Sequence, residues 1–170
     1  MYSLNVPLPP AVHDLTSSLR PRLVGFDRVR DSRTRTLVIK RLDADDRREY
    51  LGVERRAKKA LRGAPAFEAR IGDVGVFRDP PRGPAPVVYL AVESPGLRSI
   101  HERLTDALGA VPDLEGDGYT PHVTLARGGG GRAIDRLRDA TFEPVTWTVD
   151  ELEFYDARHA ERIDAVPLPA

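Results

Sequence analysis

The chain has 170 residues, with 26 Lys+Arg balanced by 26 Asp+Glu, so no global field advertises a nucleic-acid or membrane partner and any such contact must come from a local basic patch. With no cysteine, disulfides, thiol catalysis and a zinc-thiolate site are excluded. No stretch approaches the ~20 apolar residues needed to span a bilayer. The start, Met1-Tyr2-Ser3-Leu4-Asn5, has neither a basic nor a long apolar region, so secretion is not expected and a soluble, cytoplasmic protein is. Lys40, Lys58 and Lys59 are the only lysines. The arginine excess reads mainly as coding bias, with a lean toward phosphate binding because arginine offers a planar fork of donors. This length suits one domain of residues 1–170, or two closely packed lobes, with a real core.

In chain order, Tyr2 to Val6 predicts a short strand, closed by Pro7, Pro9 and Pro10. A helix from about Ala11 to Leu19 places Val12, Leu15 and Leu19 on one stripe. A strand from about Thr34 to Arg41 follows, then a charged helix from about Asp45 to Leu61, capped by Asp43 or Asp45 and stopped at Gly63. Phe67 to Phe77 and Pro86 to Val92 read as strands around the turn Asp79-Pro80-Pro81-Arg82-Gly83-Pro84. Ser94 caps a helix from about Pro95 to Leu108 that buries Leu97, Ile100, Leu104 and Leu108. A strand beginning at His122, the run Gly128 to Gly131, a short helix near Ile134 to Arg138, and strands over Val145 to Phe154 and Ile163 to Leu168 complete the chain. Interspersed helices and strands predict an α+β fold.

The most informative stretch is Tyr119-Thr120-Pro121-His122-Val123-Thr124-Leu125-Ala126-Arg127. Pro121 marks the entry to a strand, and the period-two pattern after it puts His122 and Thr124 on one face and Val123 and Leu125 on the other. An imidazole that titrates near neutral pH beside a hydroxyl that can hold an oxyanion is a candidate half-site for phosphoryl transfer. On residue pattern alone, a hydrogen-bonded surface pair is the commoner outcome for His-x-Thr on a strand. In the first half, Thr34-Arg35-Thr36-Leu37 can be laid over His122-Val123-Thr124-Leu125, which predicts one cleft lined by Thr34, Thr36, His122 and Thr124.

This order of elements resembles the two-histidine phosphoesterase superfamily, specifically the 2′-5′ RNA ligase-like proteins, or RNA 2′,3′-cyclic phosphodiesterases. The resemblance covers the whole chain and rests on Pro7 to Pro10, the Thr34 to Leu37 strand, Gly75-Val76-Phe77, Val87 to Val92 and, most specifically, Pro-His-Val-Thr-Leu-Ala-Arg at 121–127. It implies a bilobal, pseudo-symmetric fold whose central cleft lies between two sheets flanked by helices, each lobe offering one His-x-Thr-x tetrad. It also implies His122 as proton acceptor and Thr124 and Thr36 as phosphate ligands; beside them, Thr34, Arg127 and Lys40 are residues of this chain that could help hold a phosphate. The implied partner is an RNA end or nucleotide with a 2′,3′-cyclic phosphate, handled by a monomer without cofactor. The first tetrad departs from the family pattern, because threonine stands where histidine is expected. A one-residue shift would put Arg35 there instead, turning Leu37 and Ile39 into the cleft, so the Thr34 register is preferred. A threonine hydroxyl cannot replace an imidazolium as acid, which implies an impaired cyclic phosphodiesterase or, alternatively, a noncatalytic phosphate-ligand or RNA-binding relative.

Other candidates read as structural. His101 borders the buried stripe of its helix, His13 lies on a surface, and His159 sits in a charged turn. No His pair has metal-ligand spacing, so no metal site is expected. The tetraglycine lacks a following Gly-Lys-Ser/Thr and reads as a connector. Arg55-Arg56-Ala57-Lys58-Lys59 reads as a solvated face that could add RNA affinity, and Trp147 and Tyr155 as core or edge residues. Strict alternation points Arg127 away from His122 unless the strand bulges.

Overall fold

A computed structural model describes residues 1–170. Helices are α1 (Pro10–Leu19), α2 (Arg47–Ala60), α3 (Pro95–Leu108) and α4 (Gly131–Arg138). One antiparallel sheet has the order β3 (Leu37–Leu42), β1 (Tyr2–Val6), β8 (Glu151–Asp156), β9 (Glu161–Pro167). The other has the order β2 (Arg28–Val29), β6 (His122–Arg127), β5 (Val87–Glu93), β4 (Phe67–Phe77), β7 (Val145–Val149). Each sheet buries one face against helices. Leu4, Leu37, Ile39, Leu152 and Phe154 do so in the first sheet, and Ile71, Val88, Leu90, Val123 and Leu125 in the second.

Of the expected boundaries that differ, three bear on the site or the sheets and have a local reason. The strand placed at Thr34 begins at Leu37, because Asp31 caps a one-turn 3-10 helix over Ser32–Thr34: its carboxylate accepts the Arg33 N–H and its carbonyl the Thr34 hydroxyl. The cap of α2 is Asp46 rather than Asp43 or Asp45, and Glu49 reaches back to the Asp45 N–H. The single strand expected from Val145 to Phe154 is two strands in different sheets, broken at Asp150.

The two sheets carry matching irregularities. In β6, Thr124 pairs with Tyr89 and Ala126 with Val88, leaving Leu125 as the extra residue of a bulge. In β3, Val38 pairs with Asn5 and Lys40 with Leu4, leaving Ile39 as the extra residue. A bulge reverses the alternation beyond it. The residue three after His122 and the residue three after Thr36 are therefore equivalent, and so are Arg127 and Arg41, each five positions on.

The β3 bulge is pinned from the other half of the chain. His101 Nδ1 donates to the Ile39 carbonyl at 2.7 Å, and its Nε2 accepts the Gly116 N–H at 3.0 Å. The Tyr119 hydroxyl donates to the Val38 carbonyl at 2.7 Å, and its ring stacks on His101 at 3.7 Å. Burial holds the His101 pKa below the usual imidazole value, in keeping with the neutral form that this bonding pattern requires. Replacing His101 with alanine strands two backbone groups and leaves a void. The expected loss is about 2–4 kcal/mol, read as a lower denaturant midpoint at unchanged slope.

Candidate functional site

Between the sheets lies a cavity of about 430 Å³. Thr36, Val38 and Arg41 line one wall, and His122, Thr124 and Arg127 the other. These are the two bulge-matched sets, so Thr36 faces the cleft as the counterpart of His122, and Val38 as that of Thr124. Thr34 does not line the cavity. The expected overlay of Thr34-Arg35-Thr36-Leu37 on the second tetrad is thus corrected by two residues, to Thr36-Leu37-Val38-Ile39, because the Asp31 turn takes Thr34 off the strand. Arg35 packs inward with its Nε unpartnered, and burial lowers its pKa.

The expected group gathers in part. Thr36, His122, Thr124 and Arg127 share the cavity. Arg127 enters it because the Leu125 bulge turns the strand, and the Val87 pairing puts its side chain in a row with Phe77. Its Nη1 donates to the Arg82 carbonyl at 2.9 Å, which ties the Pro/Gly turn to the cleft. Lys40 is not available as a phosphate contact. It is buried against Glu115 at 2.6 Å, and Glu115 also accepts the Arg41 N–H at 2.7 Å. His13 and His159 lie elsewhere, the latter bonded to Asp156 at 2.7 Å.

His122 is held by both backbone and rings. Its Nδ1 lies 2.7 Å from the Thr120 carbonyl, which can only accept, so Nδ1 carries the proton. In the neutral ring Nε2 is then a free lone pair with no protein partner. Phe77 and Tyr89 stack on each other at 4.1 Å and meet the imidazole edge-on at 5.0 and 5.3 Å. Tyr89 can lie there because Gly75 is opposite it: a Cβ on Gly75 would collide with the Tyr89 ring. Burial is the main cause that lowers the His122 pKa, opposed by the Thr120 hydrogen bond and reinforced by the charges of Arg41 and Arg127. The arrangement presents a neutral base beside a hydroxyl in a cavity with four arginines, Arg30, Arg41, Arg82 and Arg127, against two aspartates. That charge balance suits an anion.

Sequence reasoning missed Arg41 and Val38. The shared spacing Thr36…Arg41 and His122…Arg127 was a visible signal, but the equivalence depends on bulges that a single sequence does not reveal. Val38 leaves a mark of its own. Its cross-strand neighbour Asn5 is buried, with an Oδ1 that has no hydrogen-bond partner. A hydroxyl at position 38 would lie beside that acceptor.

The family model of the 2′-5′ RNA ligase superfamily matches residues 36–161. Among solved structures, TT0787 of Thermus thermophilus superposes with a TM-score of 0.66 at 21% identity, over 91% of this chain and 87% of that one. E. coli LigT complexed with 3′-AMP gives 0.69 at 17% identity, over 99% and 98%. The same protein complexed with phosphate gives 0.69 at 16% identity, over 99% and 97%. A search of curated proteins finds no match.

Proposed function

Because this chain belongs to the 2′-5′ RNA ligase superfamily, we propose that its cleft binds the 2′,3′-cyclic phosphate of an RNA end or nucleotide and opens it slowly by hydrolysis. One observation carries the reading: His122 presents an unprotonated Nε2 in an arginine-lined cavity, with its other nitrogen fixed on Thr120. Water attacks phosphorus as Nε2 takes its proton, and one phosphorus–ribose oxygen bond breaks. Thr124 and Arg127 hold the phosphoryl oxygens. Thr36, opposite His122, supplies a hydrogen bond but no acid, so the leaving ribose oxygen takes its proton from solvent. Missing acid catalysis of this kind lowers the rate by about 10²–10⁴.

A second reading draws on the first-lobe wall itself. Thr36 and Val38 leave that lobe with neither imidazole nor second hydroxyl, which favours a relative that binds a phosphate ligand without turning it over. His122-dependent turnover separates the two, and its pH profile shows whether a protein acid takes part. A lone base of lowered pKa gives a kcat/KM that rises with pH, levels off at lower pH than an unperturbed imidazole would give, and shows no fall up to about pH 9. A descending limb in that interval would reveal a protein acid. Absence of any His122-dependent turnover would leave the binding reading.

A further inference from the structure

The cleft is one end of a longer basic groove. A neighbouring depression of about 440 Å³ shares Arg41 and Arg82 with it and extends to Arg56 on α2. A third, of about 610 Å³, shares Asp43, Val53 and Arg56 with the second and adds Arg55 and Lys59. The cations along this path stand unpaired: Arg41, Arg82, Arg55, Arg56 and Lys59 have no carboxylate within 4.0 Å, whereas the adjacent Lys58 is bound to Glu54 and Asp164. Of the two carboxylates in the outer depressions, Glu49 is occupied by the Asp45 N–H. Arg41 is half-buried, and a half-buried cation with no partner in the protein is one that an anionic ligand would stabilise.

We propose that this groove carries a single-stranded RNA away from the cleft, the phosphodiester next to the terminal phosphate lying on Arg41 and Arg82 and later ones on Arg56, Arg55 and Lys59. The inference rests on the reading of the cleft as a phosphate site. A run of unpaired cations across three connected depressions matches a polyanion better than a small ligand, which would fill only the first. Contacts of this kind fix the strand without reading its bases, and each removes a condensed counterion.

The test is fluorescence anisotropy with 3′-phosphorylated oligoribonucleotides of increasing length, read against a 3′-mononucleotide and a 3′,5′-bisphosphorylated mononucleotide. Octanucleotide affinity is expected to exceed that of the mononucleotide by about tenfold or more at low salt, and the bisphosphate to fall between. Arg56→Ala with Lys59→Ala should shrink the octanucleotide advantage and reduce the salt slope by about one per cation removed. An octanucleotide that binds no better than the mononucleotide, or no better than the bisphosphate, overturns the groove. Failure of the cleft reading looks different: 3′-hydroxyl and 3′-phosphate octanucleotides would then bind equally well while the length dependence persisted.

Discussion

Thr36→His combined with Val38→Thr is expected to raise hydrolysis of a 2′,3′-cyclic nucleotide by about 10²–10⁴ over the unmodified protein. Matching bulges at Ile39 and Leu125 place Thr36 opposite His122 and Val38 opposite Thr124, so the double change completes the second half of a site whose first half is present. Position 38 also pairs across the strands with Asn5, whose buried Oδ1 has no hydrogen-bond partner. Adding His122→Ala should abolish the gain, because acid and base act as a unit. Thr34→His and Arg35→His are the register controls. Position 34 lies in the Asp31 turn and position 35 packs inward, so neither is expected to raise the rate. A gain at 34 without one at 36 would contradict the bulge-based equivalence.

Glu115→Ala is expected to destabilise the protein by about 3–5 kcal/mol, a large share of the ~5–15 kcal/mol that typically holds a domain together. The side chains of Lys40 and Glu115 are 2% and 1% exposed, so removing the carboxylate leaves a buried ammonium whose only other partner is the Arg41 carbonyl. The same carboxylate accepts the Arg41 and Val111 N–H groups, which ties the loop before β6 to the strand that carries the first wall of the cleft. Loosening it should misplace Arg41 as well. Replacing both partners together, Lys40→Met with Glu115→Leu, is expected to recover only the part of the loss that comes from the unpaired ammonium, since the Arg41 and Val111 N–H groups stay without their acceptor. Urea unfolding measures all three variants. A Glu115→Ala stability within about 0.5 kcal/mol of the unmodified protein would show that Lys40 reaches solvent instead.

Much of this architecture was legible from residue periodicity. Leu97, Ile100 and Leu104 define the buried face of α3, Ser94 is its cap, and the alternation of His122, Val123, Thr124 and Leu125 gives the faces of β6 correctly. What failed was register at two places where a local hydrogen bond competes with the strand. Asp31 makes a turn of residues that look extended, and the Ile39 bulge shifts alternation in a stretch whose apolar residues fit either frame. Arg127 could be recognised only as a residue needing a bulge, and the bulge is there. Lys40 looked available because sequence cannot show that Glu115, far along the chain, is waiting for it. Asp150 separates two strands into different sheets with no glycine or proline to announce the break.

The most direct test of the cleft is the rate at which the unmodified protein and His122→Ala open a 2′,3′-cyclic phosphate on an RNA end, measured side by side. The account predicts slow but measurable turnover that falls by a further ~10²–10⁴ when the imidazole is removed. Turnover that survives His122→Ala undiminished would contradict it.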